Sequence, residues 1–501
     1  MFLGIDCGTQ GTKAVVLDAD TGQVLGEGAA PHSLLSGSNG RREQDVRQWT
    51  DALVAATHTA LARAGLDGER IRGVGVSGQQ HGLVLLDERG QPLRPAKLWC
   101  DTESTPQNER LLDWLGGPEG SLARLGVAIA PGYTVSKLLW TLEHYPDLIE
   151  RTAHILLPHD YLNFWLTGRC VTEFGDASGT GYFDVRARRW DRELLRHIDP
   201  AGRLERALPT LIEPDGPAGK LRPEAAALLG LAPGVLVSSG GGDNMMAAIG
   251  TGNISPGSVT VGLGTSGTLY AYSDTPAISP HPAVATFCSS SGGWLSLICT
   301  MNLTNANAAV RELLGVELDH FEALVAQAPI GADGLTLLPY FNGERVPPLP
   351  NATGTLTGMR IDNLSRPNLC RAVMEGVTYG LRYGFDLLRD SGIECRRVRL
   401  VGGGARSAVW TQMIADVLAV EVVRGQQTEA GALGAALQVA WCHARTLDPQ
   451  ASLAELCQRC VGLGDEPGVQ PDSQAVLRYE QAYRRYRAAL DQMHGLAQDA
   501  P

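Results

Sequence analysis

The chain has 501 residues, too many for one ordinary hydrophobic core, so at least two large domains are expected. Hydrophobic residues make up 44% and charged residues 19%, a globular balance, and no apolar run approaches the ~18 residues of a membrane span. A net charge of -12 with no Lys/Arg block speaks against nucleic acid, so any bound phosphate must be held by backbone amides and local cations.

The opening run Met1-Phe-Leu-Gly-Ile-Asp6 enters a strand pattern at once, without a basic n-region or cleavage site, which predicts a cytoplasmic protein. The ten cysteines are scattered through predicted strands and helices. Only Cys457 and Cys460 form a CxxC, and no second pair or His cluster completes a zinc set, so reduced structural cysteines are expected.

In chain order, Phe2 to Asp6 reads as a strand ending on an acid, and Cys7-Gly-Thr-Gln-Gly-Thr-Lys13 as a turn rich in Gly and hydroxyls. Strands over 14–18 and 23–29 follow. Such a turn exposes donors with little bulk, which suits phosphate oxygens; it also suits a plain hairpin, although Asp6 and Lys13 are harder to explain that way. Residues 44–66 carry Val46, Trp49, Leu53, Ala56 and Ala60 at helical spacing. A strand over 71–77 leads into Gly78-Gln-Gln-His-Gly82, a hairpin over 83–90 follows, and Leu98-Trp-Cys-Asp101 comes next. Gln79, Gln80, His81, Trp99 and Asp101 thus collect at strand ends, where open α/β sheets place ligands, and a sugar site competes there with a structural histidine.

Residues 105–235 read as an inserted helical section, with helices over 133–144 and 159–167 and a weaker one over 190–198. Its polar, Gly-rich stretch 172–181 is expected as a cleft loop without assigned chemistry. Then Leu236-Val-Ser-Ser-Gly-Gly-Gly-Asp-Asn244 is a strand, a glycine turn and an acid, and Met245 to Ile249 starts a helix. Asp243 is either a helix N-cap or a carboxylate offered to a cleft.

Residues 250–257 form a turn-rich connector, after which 258–272 repeats the opening device: strand, Gly264-Thr-Ser-Gly267 turn, returning strand. Two halves that each begin on a donor-rich hairpin suggest an internal duplication. A strand over 294–299, helices over 305–314 and 320–328, a strand over 335–340 and a long helix over 366–390 follow. Arg397 to Gln412 gives a strand, Gly402-Gly-Gly404, Ser407 and a helix to Leu418; it is neither GxGxxG nor GxxxxGK[ST]. Glu429 to Ala436 opens a small-residue helix, and 473–498 is a charged amphipathic helix.

Together these stretches resemble the FGGY family of carbohydrate kinases over roughly residues 1–445, in five separate stretches in the family's order. The resemblance implies an α/β, two-domain duplicated actin/hexokinase-like (ribonuclease H-like) ATPase fold with an interdomain cleft. It implies a sugar-binding and first phosphate-loop domain over 1–250, a nucleotide-binding domain over 251–445, and a helical extension over 446–501 packed on the second domain. By the same likeness Asp6 and the turn of Gly8, Thr9, Gln10, Thr12 and Lys13 form the first phosphate loop. Gly264, Thr265 and Ser266 form the second, and Gly403, Gly404, Ser407 and Gln412 belong to the adenosine loop. Asp243 matches the catalytic base, with Asn244 beside it on the sugar. Gln80-His81 stands where members acting on ketopentoses usually show Met-His, and the Arg-Glu pair of the glycerol kinases is absent. Trp99 and Asp101 fall in the family's Trp-x-Asp segment, but Glu103 stands where an Arg usually follows.

The expected activity is ATP-dependent phosphorylation of a ketopentose, D-xylulose foremost, with Asp243 as general base, Asp6 and Asp243 on Mg²⁺, and domain closure excluding water. The expected partners are the sugar and ATP, with no nucleic acid and no membrane; a homodimer is one expected assembly. A kinase for another ketose, polyol or sugar acid (ribulose, glycerol, gluconate) remains an alternative, as does a non-catalytic sugar or nucleotide sensor on the same fold.

Overall fold

The computed structural model describes residues 1–425, 429–462 and 467–496. By contacts the chain divides into two compact units: Met1–Ser255 with Tyr272–Leu295 and Glu429–Gly462, and Pro256–Ala271 with Ser296–Thr428 and Leu463–Pro501.

The first unit is built on a mixed sheet. Its strands run in the order Pro217–Lys220, Leu236–Ser238, Gly73–Gly78, Phe2–Cys7, Gly11–Asp18, Gln23–Pro31. Phe2–Cys7 is antiparallel to Gly11–Asp18 and parallel to Gly73–Gly78, so Asp6 stands opposite both Lys13 and Ser77. The two-residue strand Gly241–Gly242 pairs with Ser77 and Gly78, which brings the Asp243 turn to the same end of the sheet. Central strands covered on both faces must be apolar throughout, and Leu3, Ile5, Val15, Val16, Val74 and Val76 are all buried.

Helix Val46–Ala64 lies over one face, with Trp49, Leu53, Ala56 and Ala60 turned inward. Helix Ala430–Leu447 lies over the other, against Phe2, Val15 and Leu17. Its approach is close enough that a Cβ on Gly4 would sit 1.9 Å from the Ala432 carbonyl oxygen, and one on Gly75 2.0 Å from that of Ala435. The same helix crosses Asp243–Gly250, where a Cβ on Gly434 would meet the Met246 carbonyl oxygen at 1.8 Å. The small-residue pattern of 429–436 is thereby explained.

The second unit repeats the plan. Gly257–Leu263 is antiparallel to Gly267–Ser273 and parallel to Cys395–Val401, and Glu421–Arg424 adds a further parallel strand. Long helix Arg366–Asp390, helix Ala408–Leu418 and helix Ser473–His494 complete it.

Four expectations change. The 105–235 section is helical in large part, but it also supplies Pro217–Lys220 to the main sheet. Val84–Leu86 pairs with His154–Leu156 rather than with a full returning strand after the 87–90 turn. Stretch 172–181 is no loose loop: Val171–Glu173 is a buried strand and Phe174–Ala177 a buried helical turn, because Glu173 caps that turn through the N–H groups of Gly175 and Asp176. The 446–501 extension is divided, since Leu453–Cys460 packs with the first unit through Leu453, Cys457 and Cys460, while Ser473–His494 belongs to the second. The end of the expected tail helix, 497–498, lies outside the described residues. None of the ten cysteines forms a disulfide, and Cys457 and Cys460 are buried. No described helix is long and apolar enough to cross a membrane.

Candidate active site

In the first unit, strand ends bring Asp6, Ser77, Gln80 and Asp243 into one polar corner. The Ser77 hydroxyl donates to Asp6 Oδ1 at 2.6 Å, and the start of helix Ala430–Leu447 closes over the acid: a Cβ on Gly431 would lie 2.7 Å from its carboxyl carbon. Burial pushes the Asp6 carboxyl up, while Ser77 and Lys13 draw it back. Burial also pushes Asp243 up, to about 7, reinforced by the charges of Asp6 and Asp176 and opposed by hydrogen bonds from Asn244. Those bonds come from the Asn244 backbone N–H at 2.7 Å and its side-chain Nδ2 at 2.9 Å, both to Asp243 Oδ1. Gly242 is the N-cap of this helix and Asp243 its first residue, so of the two readings the N-cap is not the one realised, although the Asp243 carboxylate accepts the Asn244 N–H of the first turn.

The other expected sugar residues divide. Asn244 Nδ2 donates to Gln80 Oε1 at 3.0 Å, which places Gln80 in the corner. His81 adopts a left-handed φ of 63°, and its ring stacks on Tyr133 with centroids 4.6 Å apart. That backbone is held from behind: buried Lys137 donates to the His81 carbonyl at 2.9 Å and also to the Gly132 carbonyl. Burial lowers Lys137 to about 7. The Trp99 ring is 38% exposed and donates its Nε1–H to Thr9 Oγ1 at 2.9 Å. Asp101 is not brought to the site. It is fully buried, and its carboxylate takes Lys97 Nζ at 3.0 Å, the Arg42 N–H at 2.8 Å and the Glu103 N–H at 3.1 Å. Glu103 also pairs with Lys97, so acids from both positions neutralise one buried ammonium.

In the first turn, Gly8 N–H donates to the Gly11 carbonyl, closing the hairpin, and Gln10 is exposed at its tip. The Thr9 hydroxyl links Trp99 to Gln79, to whose Oε1 it donates at 3.3 Å. Thr12 points away from the tip: it is buried, with its hydroxyl 3.0 Å from His32 Nε2. Lys13 pairs with Glu429 at 2.6 Å.

In the second unit, Gly264, Thr265 and Ser266 are exposed at the hairpin tip, and Thr304 Oγ1 donates to the Gly264 carbonyl at 2.8 Å. Gly402, at φ 88°, lies so close to Leu263 that the Gly402–Gly404 turn abuts the end of that hairpin strand. A Cβ on Gly403 would meet open space, whereas one on Gly404 would strike Trp410. The Ser407 hydroxyl caps helix Ala408–Leu418 by accepting the Trp410 N–H, and Gln412 donates to Asp416 and to the Gln470 carbonyl.

Sequence reasoning missed a buried group beside Gln80. His159 Nδ1 lies 2.7 Å from Asp176 Oδ2 and His159 Nε2 lies 3.1 Å from Asp160 Oδ1, all three residues fully buried. Burial pushes Asp176 up to about 8, and Glu173 and Asp160 up to about 7 each. Their signal in the sequence was the acid spacing Glu173-Phe-Gly-Asp176 after an apolar helix opening on His159-Asp160.

Two sheets that each open on a donor-rich hairpin, one of them ending in an opposed carboxylate pair, are the frame of a kinase acting on small hydroxyl compounds. Residues 1–250 match the FGGY family of carbohydrate kinases, N-terminal domain, and residues 259–442 match its C-terminal domain. The chain belongs to the FGGY family of carbohydrate kinases. It is 48% identical over 498 residues to a xylulose kinase of Haemophilus influenzae, covering 99% of this chain and all of that one. Identity to a xylulose kinase of Streptomyces rubiginosus is 38%, covering 100% and 96%. A solved xylulose kinase from Bifidobacterium adolescentis aligns with a TM-score of 0.83 at 32% identity, covering 98% and 99%.

Proposed function

We propose that the protein transfers the γ-phosphoryl group of ATP to D-xylulose, giving D-xylulose 5-phosphate and ADP. The sugar follows from full-length similarity to proteins named as xylulose kinases, at up to 48% identity. The observation that carries the chemistry is the Asp243 carboxyl, pushed up to about 7 and set against Asp6 in the corner shared with Gln80 and Asn244. The sugar's 5-hydroxyl oxygen forms the new bond to the γ-phosphorus as the bond from that phosphorus to the β–γ bridging oxygen breaks. Asp243 accepts the hydroxyl proton, and the leaving electrons stay on ADP. Asn244, Gln80 and His81 orient the sugar, with the exposed face of Trp99 beside them.

The first turn, through Gly8, Thr9 and Gln10, and the exposed tip at Gly264, Thr265 and Ser266 offer backbone and hydroxyl donors for phosphate oxygens. The open side of Gly403 receives the adenosine. Asp6 and Asp243 fit Mg²⁺: two buried carboxylates, the first of which raises the proton affinity of the second, are an oxygen set that a hard divalent cation would relieve. Bound there, it would neutralise phosphate charge.

The test is ADP release with Mg-ATP against D-xylulose, D-ribulose, L-ribulose, glycerol and gluconate, with a no-sugar blank. D-xylulose should be turned over fastest, above a low blank. Faster turnover of another acceptor would overturn the sugar, and none with any acceptor would overturn the kinase.

A further inference from the structure

The stretch that leads to Asp243 carries one residue more than the strand beside it. Leu236 and Val237 pair with Gly73 and Val74, and Gly241 and Gly242 with Ser77 and Gly78. From Val237 to Gly241 the chain advances four positions while its neighbour, from Val74 to Ser77, advances three, so Ser238–Gly240 holds a bulge. Gly240 absorbs it with a φ of 70°, packed so that a Cβ there would lie 2.6 Å from the Val76 carbonyl oxygen. A bulge takes backbone groups out of the ladder, and buried ones must find partners elsewhere. Here one side chain serves them. Gln438, fully buried on helix Ala430–Leu447, accepts the Gly240 N–H and the Ser238 hydroxyl on Oε1, both at 2.9 Å. Its Nε2 donates to the Gly240 carbonyl at 2.9 Å and to Ser239 Oγ at 3.0 Å. A carboxamide offers two acceptor sites and two N–H groups, and all four are used on these three residues. Turned over, it would set NH₂ against the Gly240 N–H and oxygen against the Gly240 carbonyl, so the bulge admits one orientation. Helix packing does not call for this amide, since Ala435, Leu437 and Val439 around it fill the contact with apolar surface.

We propose that Gln438 is a positioning residue for the transfer: it stands in for a strand partner at the Ser238–Gly240 bulge and so sets the register at which Asp243 enters the corner with Gln80 and Asn244. The inference rests on reading Asp243 as the base. Without the amide, the Gly240 N–H and carbonyl are buried and unpaired, and re-pairing them with the neighbouring strand would move Asp243 by one position. Gln438, being fully buried, touches neither sugar nor nucleotide.

The test uses the full-length protein and the best acceptor of the panel. Gln438→Met, of like length but without the amide, should lower kcat about tenfold or more and leave the KM for ATP within about twofold. Leu437→Ala, next to it on the same helix, should lower the urea midpoint at least as far yet keep kcat within about twofold. A merely structural Gln438 would instead make both variants lose activity in step with stability. Gln438→Glu still accepts the Ser238 hydroxyl and the Gly240 N–H, and the proton that burial holds on it can serve the Gly240 carbonyl, so part of the loss should be recovered. Full kcat in Gln438→Met with Asp243 in place, or equal losses in Gln438→Met and Leu437→Ala, would overturn the proposal.

A readout independent of turnover separates this inference from the functional reading. In a crystal structure of Gln438→Met, Gly241 should no longer stand opposite Ser77, and Asn244 should have lost its hydrogen bond to Gln80. Gln438→Glu, the milder change should Gln438→Met fail to fold, should show the same displacement in smaller degree. An unmoved Asp243 and Asn244 would overturn the proposal whatever the protein phosphorylates. Displacement of Asp243 without loss of kcat would remove Asp243 as the base, and the proposal with it.

Discussion

Asp243 must be ionised to accept a proton, and burial with the neighbouring charges of Asp6 and Asp176 sets its carboxyl at about 7. Below that pH the base already carries a proton, so kcat/KM for the sugar should rise with pH through about 7 and level off above it. Asp243→Asn should remove that limb together with ~10²–10⁴-fold of turnover, leaving ATP affinity within a few-fold. A pH profile of the wild type beside that of the variant checks both statements; an unchanged limb in a variant that still turns over would assign it to another group. At this scale the sequence was partly legible. Asp6, Gln80 and Asp243 stand where strand ends and glycine turns announce them. Asp101 was misleading, because Trp-x-Asp spacing does not reveal that Lys97, four residues earlier, points its ammonium at the same carboxylate. Asp176 left only its spacing from Glu173 as a signal, and in a polar, Gly-rich stretch that spacing does not tell a buried acid from a solvated one.

Among the elements, the crossing of helices Asp243–Gly250 and Ala430–Leu447 holds the base in place. Two backbones this close leave no room for a methyl group at Gly434. Gly434→Ala should therefore cost about 1–3 kcal/mol in urea unfolding, in the range of overpacked cores. It should also lower turnover, because the backbone it displaces at Met246 lies one turn beyond Asp243. Wild-type stability in the variant would show that the helices part freely. Period and small-residue content made the Ala430–Leu447 helix legible. Its partner was not, because a helix pattern records which face is small and not which distant segment lies on it. The hairpins of both units were legible for the opposite reason: their partners are adjacent in sequence, and Gly/Thr turns announce them.

At the scale of the whole chain, the first unit is assembled from three separated stretches, 1–255, 272–295 and 429–462. Consecutive domain boundaries are the natural reading of a sequence, because connectors can be seen in it and a returning helix cannot. A chain cut after residue 425 lacks the helix that covers Phe2, Val15, Leu17 and Ile249, and its first unit should fail to fold. Limited proteolysis should digest it rapidly, and supplying residues 429–496 as a second chain should restore protection; a stable truncated unit would sink this expectation.

The same layout sets a clock during biosynthesis. The strand Phe2–Cys7 is made some 430 positions before the helix that seals its face, roughly 20–90 s at ~5–20 residues per second. Throughout that interval the nascent chain carries an uncovered apolar sheet face. Such a face is open to holding chaperones until the helix arrives, and phosphoryl transfer can begin only after residues 430–447 have been made.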